Sequence, residues 1–169
     1  LMIYETGGKR GADRLYQALL EKYETIALPR FPILRCRVES LPLHMDRSYW
    51  VEDPNFSLTY HFTRVSLPKG KGWGALYRLF GQFHAQPLDQ SRPLWEVMFV
   101  EGLDQLDGVP RGCSALFLKI HHSVVDGKSA LKLISSLHSL SPEAGAPTLA
   151  DSMPAPDKTE RDFQSPSAF

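Results

Sequence analysis

The stretch whose residue types and spacing could do chemistry is Lys119-Ile120-His121-His122-Ser123-Val124-Val125-Asp126-Gly127. It leaves an apolar run, turns, and enters a helical pattern. Histidine is the natural general base near neutral pH, because its ordinary pKa of about 6.5 leaves a neutral imidazole able to accept a proton. A positioned base accelerates proton transfer roughly 10²–10⁴-fold. Side chains alternate along a strand, which groups His122 with Leu116, Leu118 and Ile120, and His121 with Ala115 and Phe117. Only one of the two histidines then faces a given site, and the pair cannot easily converge on one ion, so no metal is expected. Asp126 has two physical readings: a cap on the following helix, whose first amides lack partners, or a partner for a buried Arg that holds the turn. Gly127 permits a tight backbone at the helix start. At residue usage of roughly 5% each, His-His-x-x-x-Asp-Gly arises by chance in about one chain of this length in a thousand.

The elements that must position this turn can be read from periodicity. Leu1–Glu5 reads as a strand and Gly7-Gly8 as its turn. Leu15, Tyr16, Leu19, Leu20 and Tyr23 recur at helical spacing, and Pro29 and Pro32 are expected to stop that helix. Arg30–Val38, Tyr49–Val51 and Phe56–Leu67 read as strands, the last ending in the turn chemistry of Pro68-Lys69-Gly70. Leu76, Leu79, Phe80 and Phe83 make one apolar stripe of a second helix, which Pro87 ends. Leu94–Val100 is an almost continuous apolar run, as expected of a strand covered on both faces. Gly102 to Gly112 reads as a polar loop and Ala115–Ile120 as another buried strand. A third helix is expected after Asp126 with Ala130, Leu131, Ile134 and Leu137 inward. This order predicts an α/β sandwich with a mixed sheet rather than a doubly wound parallel one. Residues 1–140 read as the folded domain, truncated at its start, and 141–169 as a Pro-rich linker or disordered tail.

Composition narrows the classes. Nineteen Lys and Arg balance nineteen Asp and Glu in 169 residues, so no nucleic-acid partner is expected. Hydrophobic residues at 43% and charged residues at 22% exclude wholesale disorder. No uncharged stretch approaches the ~20 apolar residues of a membrane-spanning helix. Cys36 and Cys113 make neither a disulfide framework nor a zinc site, which points to a reducing, cytoplasmic setting. Cys113 opens an apolar strand and reads as a buried thiol rather than a nucleophile. His61 and His84 read as packing or surface residues. Gly70-Lys71-Gly72 lacks the strand-to-helix context of a phosphate loop, and Lys69 and Lys71 alone make a weak anion site.

At His121-His122-x-x-x-Asp126-Gly127 the sequence resembles the HHxxxDG acyltransferases, which include chloramphenicol acetyltransferase, carnitine acyltransferases and peptide-synthetase condensation domains. Pro87-Leu88-Asp89-Gln90-Ser91-Arg92-Pro93-Leu94-Trp95-Glu96, then Glu101-Gly102-Leu103, narrows this to the bacterial wax ester synthase/diacylglycerol acyltransferase family. His61-Phe62-Thr63-Arg64-Val65-Ser66-Leu67-Pro68 also resembles its N-terminal domain. The resemblance implies one half of a chloramphenicol acetyltransferase-like, CoA-dependent acyltransferase fold. It implies transfer of a fatty acyl group from acyl-CoA, a substrate and not a cofactor, to a long-chain alcohol or diacylglycerol. The second histidine, His122, would be the general base, with no covalent acyl-enzyme. His121 and Asp126 would be structural supports, and Gly127 part of the turn. Pro93, Leu94 and Trp95 match the family's Pro-Leu-Trp motif and would shape the acyl pocket or pack in the core. Ser123 stands where the family commonly has Ala. The resemblance further implies a second, similar domain beyond the linker as the partner that completes the site, and little activity for this chain alone. Greasy substrates would allow peripheral contact with a membrane or lipid droplet. The rival readings are a condensation-type transferase using a carrier-bound thioester and a non-catalytic lipid-binding protein.

Overall fold

The computed structural model describes residues 1–40, 48–68, 70 and 72–138. The expected linker at 141–169, and Lys69 and Lys71, lie outside the described residues. The chain divides into two units interleaved in sequence. One gathers Leu1–Glu21, Ser57–Leu88 and Trp95–His121; the other gathers Lys22–Phe56, Asp89–Leu94 and the chain from His122 onward.

The first unit is built on a four-stranded sheet. Strands β1 (Met2–Glu5), β4 (Phe62–Ser66), β5 (Trp95–Glu101) and β6 (Cys113–Ile120) lie in the order β1-β6-β5-β4. β6 runs antiparallel to both β1 and β5, whereas β4 and β5 are parallel, so the sheet is mixed as the element order predicts. A parallel pair needs a crossover, and helix α3 (Gly72–Ala85) supplies it. The apolar run of β5 is explained by cover on both faces. Met98 and Val100 pack with Ala75 and Leu76 of α3 and with Ala115 and Phe117 of β6. On the other face Tyr16 of helix α1 (Lys9–Lys22) meets Phe99 at 5.5 Å and Phe62 at 6.2 Å. Each such fully buried Phe or Leu contributes roughly 1.5–3 kcal/mol. Arg64 crosses the same face above the Tyr16 ring and bonds Asp13 of α1 and Glu101 of β5, tying helix to sheet. Those two carboxylates, Asp13 first, push its guanidinium still higher than usual.

Two glycines let backbones meet at the far end of this sheet. A Cβ on Gly11 would stand 1.5 Å from the Thr6 carbonyl oxygen. Gly112 has φ +78°, and a Cβ there would stand 2.5 Å from the Gly8 nitrogen. Its carbonyl accepts from the Thr6 amide at 3.0 Å and the Gly8 amide at 3.3 Å, closing β1 against the start of β6.

Three expectations for this part need correction. Phe56–Leu67 is not one strand: Leu58–His61 is a 3-10 turn, because the Tyr60 amide bonds the Ser57 carbonyl at 3.1 Å and the Ser57 and Thr59 hydroxyls bond each other at 3.0 Å. Such local bonding competes with a ladder. Gly102 to Gly112 is less polar in effect than it reads, since Leu103 (0% exposed) and Leu106 (3%) are core residues. The strand before it extends to Glu101, and the next begins at Cys113.

In the second unit the helical path runs past Pro29 but ends at Arg30, ahead of Pro32, so only the second of the two expected stops holds. A π-helical turn, Tyr23–Ala27, leads into a short helix α2 (Leu28–Arg30) that contains Pro29. The wider turn bonds the Leu28 amide to the Tyr23 carbonyl, and Pro29 falls in the first turn of the next piece, where a missing N–H costs little. Arg30–Val38 is likewise mostly not strand. Pro32–Arg35 tightens into a 3-10 turn, leaving β2 (Cys36–Glu39) paired antiparallel with β3 (Tyr49–Glu52). Helix α4 (Gly127–Leu137) packs against the π turn, and Lys22 Nζ bonds the Leu137 carbonyl at 2.8 Å at its C-terminus. Its buried positions are Leu133, Ser136 and Leu137, whereas Leu131, expected inward, is 63% exposed. The buried stripe is rotated away from Leu131 because Ser136, with its hydroxyl bonded to the Leu133 carbonyl at 2.7 Å, occupies an inner position that its polarity hid. Among the described residues no helix is long and apolar enough to cross a membrane.

Candidate active site

β6 delivers the two histidines. Its last paired residue is Ile120, opposite Trp95, the first residue of β5. The ladder ends there. His121 follows the strand and His122 opens a turn, His122–Val124. Strand alternation therefore stops at Ile120 and does not set the direction of His122, contrary to the expectation that grouped it with Leu116, Leu118 and Ile120. Both histidines are exposed.

The turn is anchored behind His122 and Ser123. Val124 is 2% and Val125 5% exposed, so adjacent residues are driven inward while the histidine stays outside. Asp126 then caps α4: its backbone is extended (φ −77°, ψ 173°) and its Oδ1 accepts from the Ser129 amide at 2.7 Å. Its carbonyl accepts from the Ala130 amide at 2.8 Å, the first turn of the helix. Of the two readings of Asp126, this bond is the capping one. Gly127 is a difference. Its φ is not positive and a Cβ there would meet nothing within 4 Å, so no tight backbone requires glycine at that position.

Upstream of the turn, Lys119 fixes the end of β6. Its ammonium group lies 2.7 Å from Glu96 and donates to the Phe83 carbonyl at 3.0 Å and the Gln86 carbonyl at 3.1 Å. It thus serves the C-terminal carbonyls of α3, where a cation also suits the helix dipole.

Of the Pro-Leu-Trp residues, Pro93 is buried, Leu94 is 6% and Trp95 1% exposed. Trp95 stacks on the His61 ring at 4.3 Å with 12° between planes and meets Phe62 edge-on at 6.3 Å. In this chain Trp95 fills the core. His61, passed over in the sequence as a packing or surface residue, is 2% exposed, and its Nδ1 lies 2.7 Å from the Trp95 carbonyl oxygen. The signal that could have singled it out was its place at the head of His61–Pro68, the third stretch of resemblance. His84 is exposed and stacks on Phe80. Burial pushes the Cys113 thiol up, with Glu5 and Asp104 adding to it, which keeps the thiol protonated and unreactive.

A mixed α/β sheet followed by a His-His-x-x-x-Asp-Gly turn and a capped helix is the arrangement that the sequence resemblance to the HHxxxDG acyltransferases leads one to expect. The chain belongs to the wax ester synthase/diacylglycerol acyltransferase catalytic-domain family, which it matches over residues 1–168. Two Mycobacterium tuberculosis proteins named as diacylglycerol O-acyltransferases are similar to it. Rv1760 is 39% identical over 132 residues, 78% of this chain and 24% of that protein. The other, tgs3, is 38% identical over 118 residues, 70% of this chain and 41% of that protein. Among solved structures, a wax ester synthase/diacylglycerol acyltransferase from Marinobacter aquaeolei VT8 matches with a TM-score of 0.59 at 30% identity, over 80% of this chain and 31% of that one. The first condensation domain of the calcium-dependent antibiotic synthetase shares the fold, with a TM-score of 0.56 at 18% identity over 80% of this chain and 29% of that one. The chain thus spans about a quarter of Rv1760 and two-fifths of tgs3.

Proposed function

We propose that the protein to which this chain contributes transfers a fatty acyl group from acyl-CoA to the hydroxyl of a long-chain alcohol or of diacylglycerol. The observation that carries the reading is His122, exposed at the head of a turn whose next residues are anchored by Val124, Val125 and the Asp126 cap, in a chain of this family. His122 accepts the proton of the acceptor hydroxyl as that oxygen attacks the thioester carbonyl carbon. The tetrahedral intermediate collapses, the carbon–sulfur bond breaks, and the imidazolium returns the proton to the departing CoA thiolate. One ester forms, one thioester is lost, and no acyl-enzyme intervenes. His121 and Asp126 support the turn, Asp126 through its helix cap.

The test follows free thiol released from palmitoyl-CoA, with and without hexadecanol or dioleoylglycerol, using the gene extended to its natural ends. Wild type is expected to release thiol in an acceptor-dependent way, and His122→Ala to lower that rate by about 10²–10⁴-fold, the usual worth of a general base. Undiminished release from the variant would move the base elsewhere. No acceptor-dependent release from well-folded wild type would favour a carrier-bound donor or a binding role.

A further inference from the structure

One side of α3 carries a row of rings. Trp73, Tyr77, Phe80 and His84 recur at i, i+4, i+7 and i+11, which sets all four along one line of the helix. Trp73 stacks on Tyr77 with ring centres 5.7 Å apart, and Phe80 stacks on His84 at the same distance. The row lies beside the buried face of the helix rather than within it. Ala75 and Leu76 are core residues, whereas Tyr77 is 63% and Phe80 40% exposed. Phe80 also stacks on Phe117 of β6 at 5.0 Å, which holds the row against the sheet. On the same face of the sheet Ile3 of β1 stands opposite Ala115, a cluster partner of Phe117, and is 41% exposed. Six large hydrophobic side chains are exposed among the described residues, and Ile3, Tyr77 and Phe80 are three of them. Apolar side chains grouped in this way, unlike scattered single ones, mark a surface that meets something.

The kind of ring and the charge around it select the partner. Trp, Tyr and His join an apolar body to a polar tip, the chemistry that settles between lipid headgroups and acyl chains. The Trp73 indole N–H already donates to the Asp107 carbonyl at 3.0 Å, so its ring can meet an apolar layer without stranding a donor. The chain balances nineteen bases against nineteen acids, yet residues 54–88 contain no Asp or Glu. Within that stretch Arg64 is engaged by Asp13 and Glu101. Arg78 is exposed on α3 next to Tyr77, and Lys69 and Lys71 immediately precede the helix in the sequence. Such a one-sided charge complements an anionic lipid surface, where each Lys or Arg strengthens binding about fivefold.

We propose that the ring-bearing side of α3, bordered by Ile3, docks on the surface of an anionic phospholipid membrane, with the rings among the headgroups and Arg78 against the phosphates. The contact is peripheral. α3 has 14 residues and its inner face packs on the sheet, so it lies along the surface and does not cross it. The proposal is independent of the acyltransferase reading, because it needs no acyl substrate.

The experiment measures flotation of the protein, extended to its natural ends, with vesicles of phosphatidylcholine alone or of phosphatidylcholine mixed with phosphatidylglycerol. Wild type is expected to float with the mixed vesicles, and less so as salt is raised. Arg78→Glu is expected to lower its partition onto mixed vesicles about 25-fold, about fivefold for each of two units of charge. Tyr77→Ser is expected to lower it about fivefold, the scale of roughly 40 Å² of apolar surface no longer buried. Leu131→Ser, at an equally exposed position on α4, is the control and is expected to bind as wild type does. Circular dichroism checks that each variant is folded, and Arg78→Glu decides alone if Tyr77→Ser is not. No flotation of wild type with mixed vesicles would overturn the proposal. So would unchanged flotation of both α3 variants, or a loss in Leu131→Ser equal to theirs. A change in the sedimentation of vesicle-free protein on Tyr77→Ser would mean that a second copy or another part of the protein covers this face, and would overturn it as well.

Discussion

Asp126 contributes to α4 through an oxygen that accepts one backbone amide, that of Ser129. Aspartate and asparagine are near equals at this position, because both offer a side-chain oxygen to the second or third helical N–H. Asp126→Ala is therefore expected to cost about 1 kcal/mol and Asp126→Asn a few tenths, read as shifts in Tm by circular dichroism. Equal shifts for the two variants would mean that the carboxylate charge, rather than the cap, is what the turn uses. Gly127 and Asp126 are neighbours in the motif but unlike in structure: the aspartate has a specific local bond, and the glycine occupies ordinary backbone with open space beside it.

The helices and strands were legible in proportion to how far their patterns rest on burial. β5 and β6 read correctly apart from their ends, because apolar runs of that length have few alternatives once both faces are covered. α1 and α3 read correctly as helices, although Tyr23 of the first stripe falls in the π turn and Phe80 of the second is 40% exposed. The segments that misled are those where local hydrogen bonding decides: Pro32–Arg35 and Leu58–His61 tighten into 3-10 turns, and Pro29 sits inside a helical path widened by a π turn. The candidate site was legible as a turn with a cap, but the direction of His122 was not, because alternation needs a strand and the ladder ends at Ile120. His61 was hidden for the same reason: its bond is to a carbonyl that sequence separation places thirty-four residues away.

Packing between elements makes unequal demands on glycine. Gly11→Ala would drive a methyl group into the Thr6 carbonyl and Gly112→Ala one into the Gly8 backbone, at a φ that L residues rarely adopt. Both are expected to lower Tm strongly or abolish folding, because backbone cannot swing aside as a side chain can. Gly81→Ala, in α3 with nothing within 4 Å, should raise stability by about 0.5–1 kcal/mol through helix propensity. A gain in Tm for Gly11→Ala would show that α1 does not lie as described. β1 adds a pH dependence. Burial lifts the Tyr4 phenol to about 12 from its ordinary 10.0, so the neutral form is the one the fold favours. That stabilisation is present in full below pH 10 and is lost as pH rises towards 12. Between those values wild type should lose Tm faster than Tyr4→Phe, and parallel curves would place Tyr4 in water.

For the molecule as a whole, the sheet is assembled from distant parts of the chain. β5 and β6 are joined by a short connection, and β4 reaches β5 through α3, but β1 pairs Met2 with Leu116 and Glu5 with Cys113. The closure at Thr6, Gly8 and Gly112 belongs to the same late contact. Non-local pairings form slowly because the intervening chain must be ordered first. In refolding with pulsed hydrogen exchange, β5 and β6 amides are expected to gain protection before those of β1; simultaneous protection would contradict that order. Synthesis imposes the same delay from outside. At about 5–20 residues per second, β1 leaves the ribosome roughly 5–20 s before its partner strand exists. Until β6 is made, a nascent chain carries β1 as an unmatched strand, and residues synthesised well ahead of their partner are among the last to find their place.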